Sequence, residues 1–233
     1  MARKSRQFEI LYNDKDLIVV NKPAGLLTVP IKGSRTISLV EVLNDFLAHQ
    51  RTSVSVVHRI DRYTSGVVLF AKHSRAREGL ITQFLAHTPQ RRYLALVTGV
   101  LKQVDGTLEH YMRRDDEGFR QTIKEKKFPG SAPARLSYHV LEKLRRTTVV
   151  EVMLDTGFKN QIRAQFAAIG HALVGERQYC EPQRGFGVFD RQALHAWKLG
   201  FEHPGKRRWV EFEAPLPRDM EVLFKREGAK VVS

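Results

Sequence analysis

The apolar residues of this 233-residue chain fall into short runs that end at turn-forming residues, and this pattern constrains the fold most. Runs of about four to eight residues, rich in branched and aromatic side chains, are typical of β-strands. We assign strands to residues 8–12, 17–21, 53–57, 67–71, 92–99, 135–141, 147–154, 194–201 and 208–212. The short turns between several of these runs favour antiparallel pairing.

Four other segments carry apolar residues at helical spacing, and we assign helices to about 38–49, 74–88, 161–169 and 217–227. Ser38 and Glu41 form a capping box at the start of the first helix, and Ser74 is the predicted N-cap of the second. No repeat, low-complexity tract or linker divides the chain. The sequence therefore predicts one domain over residues 1–233, of mixed α/β (α+β) type, with a mainly antiparallel sheet and flanking helices.

The charge of the chain points to a polyanionic partner. Lys and Arg number 39 against 25 Asp and Glu, which gives a formal net charge of +14. Such an excess favours nucleic acid over a membrane surface, because the basic residues follow no amphipathic helix and no apolar run is long enough to span a bilayer. Basic residues cluster in the tail 1–7 and in the segment of about 111–134. That segment is a long hairpin or a mobile loop, and both a nucleic-acid contact and a solvated excursion fit it.

The sequence lacks the motifs that several kinds of chemistry require. The single cysteine, Cys180, permits no internal disulfide and no cysteine-rich metal site, which fits a reducing cytoplasm. Neither a phosphate-binding loop nor a dinucleotide fingerprint is present, and the nine histidines show no metal-ligand spacing. Any catalysis must therefore use ordinary side chains, and we expect no cofactor and no metal.

The segment His58–Gly66 is the leading candidate for a reactive loop. It places one carboxylate, that of Asp61, among two arginines, a histidine and two aliphatic hydroxyl side chains, between two predicted strands. A scaffold presents reactive groups on such loops, and a carboxylate there can serve as nucleophile or base. The alternative is a surface turn in which Asp61 only pairs with Arg59 or Arg62.

Two other positions stand out less clearly. Tyr93 stands near the beginning of a predicted strand, and the local sequence fits an ordinary strand tyrosine with its ring in the core and its hydroxyl in water. Arg163 lies in the first turn of a predicted helix, near the turn 155–160. A cation at a helix N-terminus often pairs with a carboxylate or a phosphate, although a solvent-facing arginine fits the local sequence as well.

The ordered motifs of the chain resemble those of the RluA-type pseudouridine synthases. Residues 17–25 are similar to the family's L-x-V-V-N-K-P-x-G, and residues 58–66 to its H-R-L-D-x-x-T-S-G, with Ile60 for leucine. The other similar segments are 92–99 (K-x-Y-x-A-x-V-x-G), 156–163 (T-G-R-x-H-Q-I-R), 170–175 (G-H-P-L-V-G-D) and 194–204 (L-H-A-x-x-L-x-F-x-H-P). Each motif is weak, but six in the same order are specific.

The resemblance implies the pseudouridine synthase catalytic fold and isomerisation of uridine in RNA without a cofactor. It implies that Asp61 is the nucleophile, that Tyr93 stacks on the base and takes the C5 proton, and that Arg163 is the partner of Asp61. The target base must be flipped out of its stack. We expect four further residues to bind the substrate: Arg59 in the vacated space, Ile162 as an apolar wall, and Arg62 and Thr64 on the reactive loop.

Three departures from the family motifs are visible. Phe158 stands in place of arginine and Asn160 in place of histidine, and both positions flank the active loop, whereas Glu176 in place of aspartate is a mild change. We also expect no S4-type RNA-binding domain ahead of the catalytic domain. RNA recognition then depends on the domain itself, including its basic tail and the 111–134 segment.

Two other functions compete with an RNA pseudouridine synthase. One is a catalytically silent RNA-binding protein on the same scaffold, which has no need for Asp61, Tyr93 and Arg163 together. The other is a DNA-binding module, but no helix-turn-helix or zinc-finger pattern is present. We expect a cytoplasmic monomer that acts on structured RNA, either tRNA or rRNA or both.

Overall fold

The computed structural model describes residues 8–115, 120–181 and 189–230. In this part of the chain it contains eleven strands, which are β1 (Glu9–Asn13), β2 (Leu17–Lys22), β3 (Ser55–Val56), β4 (Ser65–Ala71), β5 (Gln90–Thr98), β6 (Asp105–Arg114), β7 (Gln121–Lys124), β8 (Ala132–Lys143), β9 (Thr147–Leu154), β10 (Leu194–Glu202) and β11 (Trp209–Glu213). The helices are α1 (Leu39–Leu47), α2 (Ser74–Leu85), α3 (Gln161–Ala168) and α4 (Arg218–Glu227). The basic tail 1–7 and residues 116–119 of the basic segment lie outside the described residues.

The chain divides into two compact units, and the first comprises the described residues of Met1–Arg91 together with Ala196–Pro215. Its strands follow the order β1-β2-β4-β10, with β3 paired to β4 and β11 paired to β10. Strand β4 is buried along its whole length, so it reads as a continuous apolar run and not as an alternating one. Helix α2 contributes Ala76 and Leu80 to the core formed with β2 and β4.

The second unit comprises Arg92–His195 and the described residues of Leu216–Ser233. Its strands follow the order β5-β9-β8-β6-β7. Helix α4 packs Met220, Leu223 and Phe224 into one core cluster, while Ala164 of α3 packs in a second cluster with Met112 of β6. The prediction of one catalytic domain over residues 1–233 stays a prediction.

The antiparallel sheet is confirmed, and each predicted strand and helix has a counterpart, although the strand predicted at 53–57 is only Ser55–Val56. Strand β6 (Asp105–Arg114) was not predicted. Strand pairs β1–β2, β2–β4 and β10–β11 of the first unit are antiparallel, and so are β5–β9, β8–β9, β6–β8 and β6–β7 of the second. The basic segment is a hairpin over the residues that the structure describes, because β6 pairs with both β7 and β8. No helix within the described ranges is long and apolar enough to cross a membrane.

Two details of helix α2 differ from the prediction. The N-cap is His73 and not Ser74, because the His73 ring nitrogen Nδ1 accepts the backbone N–H of Ala76 at 3.2 Å while Ser74 is already helical. The other ring nitrogen, Nε2, lies 2.9 Å from the Asp16 carboxylate, which holds the imidazole in its capping orientation. The helical spacing of the apolar residues over 74–88 would also bury Leu85, but this residue is 76% exposed at the end of the helix.

Gly66, at the start of β4, gives a test of this packing. Its φ is +115°, and a Cβ atom there would lie 2.0 Å from the carbonyl oxygen of Ala196. We expect Gly66→Ala to lower the free energy of unfolding by at least about 2 kcal/mol, because both the backbone conformation and the contact are unfavourable.

The matched control is Gly79→Ala in α2, where a Cβ atom would meet only the Pro204 side chain at 3.6 Å. We expect this change to be neutral or stabilising by up to about 1 kcal/mol, since alanine favours helix. Urea unfolding of both variants measures the difference, and equal stabilities would contradict the argument.

Candidate active site

The loop that carries Asp61 is anchored by a buried lysine. Lys22, at the end of β2, is 0% exposed. Its ammonium donates to three backbone carbonyl oxygens, those of Pro23 at 2.9 Å, Leu26 at 2.8 Å and Arg62 at 3.0 Å. A buried charge needs such acceptors, because it has lost its hydration. The Arg62 carbonyl also accepts the N–H of Gly25 at 2.8 Å, so two hydrogen bonds hold the carbonyl of the residue after Asp61.

The residue before Asp61 is held as firmly. The hydroxyl of Thr28 donates to the carbonyl oxygen of Ile60 at 2.8 Å, and both residues are buried. The N–H of Thr64 donates to the carbonyl oxygen of Asp61 at 3.1 Å, which closes a turn. Asp61 itself is partly buried. The backbone therefore fixes the position from which the carboxylate projects.

His58, the first residue of the loop, is a structural anchor. Its Nε2 accepts the backbone N–H of Leu69 at 2.9 Å, and its ring stacks on Phe84 with centroids 4.8 Å apart. Burial, with a smaller contribution from the positive charge of Arg91, lowers the pKa of His58 to about 3. The imidazole is therefore neutral at physiological pH and carries its proton on Nδ1.

Three predicted substrate-binding residues share this loop. Arg59 and Arg62 are exposed, while Thr64 is only 1% exposed. Arg62 Nε donates to the carbonyl oxygen of Gly25 at 2.9 Å, and its guanidinium lies 5.3 Å from the centre of the Tyr63 ring. Both arginines are therefore accessible to a ligand, and Arg62 also stabilises the loop.

Tyr93 and Ile162 occupy buried positions in the second unit. Tyr93 lies on β5 opposite Val152 of β9 and is 9% exposed. Ile162 lies in the first turn of α3 and is 4% exposed. The local prediction for Tyr93, a strand residue with its ring in the core, agrees with this burial. Its role toward a base stays a prediction.

Arg163 makes a buried ion pair that the sequence reasoning missed. Its Nε and Nη2 lie 2.7 and 2.8 Å from the two carboxylate oxygens of Glu176. Burial raises the pKa of Glu176, but the ion pair with Arg163 and the N–H groups of Gln178 and Tyr179 outweigh burial and lower it. The sequence carried one signal for this pair, which is the acidic residue at the motif position of Glu176. The change from aspartate to glutamate there is mild and keeps the carboxylate. The predicted pairing of Arg163 with Asp61 stays a prediction.

One group of side chains in the described ranges has the spacing of a metal site: Asp14, Asp16 and His203. His203 Nδ1 accepts the N–H groups of Gly205 and Lys206 at 3.2 and 3.1 Å. Its proton is therefore on Nε2, which donates to Asp14 at 3.0 Å and has no lone pair for a metal. Lys206 also lies 3.4 Å from Asp14. The group is better suited to joining loops than to binding a cation.

Comparison with known proteins identifies the family. A family model described as RNA pseudouridylate synthase matches residues 16–168, which is more than half of the chain. The chain belongs to this family. A Bacillus subtilis relative named "Uncharacterized RNA pseudouridine synthase YlyB" is 39% identical over 226 residues, which cover 93% of this chain and 72% of that protein. The predicted family and the predicted enzyme class, an isomerase, are confirmed.

Two further comparisons agree. The Zymomonas mobilis "Ribosomal large subunit pseudouridine synthase D" is 34% identical over 229 residues, which cover 93% of this chain and 72% of the relative. The solved structure of "Human RNA Pseudouridylate Synthase Domain Containing 4" matches with a TM-score of 0.79 at 21% identity. That match covers 97% of this chain and 95% of the human one, and it shows the shared fold.

The structure gives a reason for the departures from the pseudouridine synthase motifs. Asn160 occupies the N-cap of α3 with φ +57°, a conformation that asparagine adopts more readily than most residues. Its side-chain oxygen accepts Nη1 of Arg163 at 2.9 Å. Phe158 packs with the apolar cluster of Met112 and Ala164. Both residues therefore support α3.

The unusual environment of His58 predicts a pH dependence of stability. Its pKa is below the ordinary value of 6.5, so the unfolded chain takes up a proton first as the pH falls. We expect the free energy of unfolding to fall below about pH 6.5 and to continue falling toward pH 3.

Urea unfolding of wild type and His58→Gln at about pH 7.5, 6 and 5 measures this effect. The stability difference between them should shrink as the pH falls, and His49→Gln, at an exposed position, is the control variant. A His58→Gln difference that does not change with pH would contradict the assignment.

Proposed function

We propose that this protein converts uridine to pseudouridine in structured RNA and that Asp61 is the residue that acts on the substrate. The observation that supports this most is the immobilised loop around Asp61. Lys22 and Thr28 hold the carbonyl oxygens on either side of Asp61, at 3.0 and 2.8 Å. A catalytic group needs a backbone of this rigidity, since small displacements cost much of the rate.

The reaction is a rearrangement that needs no oxidant or reductant. The N1–C1′ bond breaks, the base turns, a C5–C1′ bond forms, C5 loses its proton and N1 gains one. Asp61 is the nucleophile, toward the sugar or the base, and an arginine partner keeps a carboxylate ionised for this purpose. We assign that partnership to Arg163, and the removal of the C5 proton to Tyr93.

The substrate uridine has to leave its stack, because its C5 and C1′ atoms are inaccessible there. The exposed guanidinium of Arg59 suits the vacated space, since such planes stack and hydrogen-bond to bases. Ile162 offers an apolar surface to uracil, and we assign Arg62 to the RNA backbone, whereas Thr64, which is only 1% exposed, contributes through the turn that its N–H closes with the Asp61 carbonyl. The Zymomonas relative is named a ribosomal large subunit pseudouridine synthase, so we propose large-subunit rRNA as the substrate and test tRNA beside it.

We also propose that the basic hairpin binds RNA. Arg113 of β6 and Lys124 of β7 both lie over the ring of Phe128, at 5.9 and 5.2 Å from its centre, while Lys126 and Lys127 are exposed. Cations beside an aromatic ring combine phosphate attraction with base stacking. We further propose that the protein is a cytoplasmic monomer. Light scattering on the purified protein tests the monomeric state.

Release of tritium from RNA labelled at uridine C5 tests the activity, because the reaction removes that hydrogen. We expect wild type to release tritium, and Asp61→Asn to be slower by at least about a thousand-fold with RNA affinity unchanged within about threefold. Asp45→Asn, an exposed position on α1, is the matched control. Tight RNA binding by a wild type that releases no tritium from rRNA or tRNA would favour the silent binder.

The salt dependence of RNA affinity tests the hairpin. Each lost phosphate contact reduces the slope of log K against log salt by about 0.7 to 0.9. We expect Lys126→Ala with Lys127→Ala to reduce the slope by about 1.5 in filter binding. The control removes two exposed arginines of α2, Arg75 and Arg77, and should leave the slope unchanged. Equal losses in both variants would contradict a particular role for the hairpin.

A further inference from the structure

Arg163 is held in one orientation by a buried acid, and we propose that Glu176 is a positioning residue for the isomerisation. This inference rests on the role of Arg163 in the proposed function. Glu176 lies 13 residues further along the chain, after α3 has ended, and its side chain is 0% exposed. It therefore acts through Arg163 and not on the substrate.

The geometry of the pair fixes the guanidinium plane. Nε of Arg163 donates to one carboxylate oxygen of Glu176 at 2.7 Å, and Nη2 donates to the other at 2.8 Å. Two parallel charge-assisted bonds define both direction and rotation, which a single bond or a lysine does not. The Arg163 side chain is 12% exposed, so water screens this pair far less than a surface pair.

Glu176 is itself positioned by the backbone that follows it. Its Oε1 accepts the N–H groups of Arg177 at 3.1 Å, Gln178 at 2.8 Å and Tyr179 at 3.3 Å. These donors favour the charged form of the carboxylate, in line with its lowered pKa. The acid is therefore a fixed negative charge against which Arg163 is aligned.

The other side of the guanidinium is held as well. Nη1 donates to the side-chain oxygen of Asn160 at 2.9 Å, and the Tyr179 ring centre lies 5.5 Å from the guanidinium carbon. All three nitrogens of Arg163 thus donate within the second unit. A cation in the first turn of α3 also opposes the helix dipole, and the negative charge of Glu176 offsets this repulsion.

The experiment compares Glu176→Gln and Glu176→Asp with wild type in single-turnover and steady-state tritium release. Glutamine keeps the shape and removes the charge, so we expect kcat to fall about a hundred-fold, the loss typical of a displaced catalytic group, with KM and RNA affinity within about threefold. Aspartate keeps the charge, and we expect it to recover most of the lost kcat.

Glu227→Gln is the matched control. Glu227 is also buried, and its two oxygens lie 3.4 Å from Nε and Nη2 of Arg146 in the same unit. We expect this variant to lose stability without a change in kcat. A kcat for Glu176→Gln within about twofold of wild type, or an equal loss in both variants, would overturn the inference.

The pH profile separates positioning from charge balance. If Glu176 positions Arg163, its loss lets the guanidinium move, and the acidic limb of kcat/KM shifts to higher pH because Asp61 loses a cationic neighbour. If Glu176 only balances charge, its loss strengthens the field of Arg163 and shifts the limb to lower pH, which contradicts positioning.

Arg163→Lys serves if Glu176→Gln does not fold, because lysine keeps the positive charge but cannot form the two parallel bonds to Glu176. We expect kcat to fall by at least about tenfold with RNA affinity within about threefold, and an unchanged kcat would contradict the inference. A wild type that forms no pseudouridine would instead refute the proposed function. An active wild type and an inactive Asp61→Asn with a fully active Glu176→Gln refute only the role of Glu176.

Discussion

The buried ammonium of Lys22 is the interaction on which the reactive loop depends. It has no exposure, and it is stabilised by three carbonyl oxygens that come from two different stretches of the chain. Such a charge is costly to bury without partners. The loop that supplies the Arg62 carbonyl is therefore held in place by the same bonds that stabilise Lys22. Because Arg62 follows Asp61 directly, the bonds that immobilise the loop also fix the backbone that carries the Asp61 carboxylate.

The second unit solves a similar problem with Arg163. Its guanidinium is largely buried and is satisfied by Glu176 on one side and Asn160 on the other. In both units a cation that lacks water fixes the geometry around it, because moving away from its partners leaves charge and acceptors unsatisfied. His58 fixes its surroundings in a similar way as a neutral group, because its imidazole accepts the N–H of Leu69.

Much of the fold followed from the sequence because periodicity reports which faces of a segment are buried. The strands at residues 17–21 and 147–154 and helix α3 are confirmed, with ends shifted by a few residues at most. Helix α2 began at the predicted residue but with a different cap, since the capping role of His73 depends on Asp16 holding its ring. Local propensity ranks serine above histidine at an N-cap and does not include such a distant partner.

Residue order and composition were enough to establish most of the elements, the basic charge and the family. That Lys22 binds the carbonyl of a residue 40 positions away, and that Glu176 is a partner of Arg163, became visible only in the folded chain. The folded chain also shows that Phe158 and Asn160, which depart from the family motifs, stabilise α3 through their contacts. These bonds form between segments that sheet register and loop geometry bring together. Local periodicity carries no information about such long-range contacts.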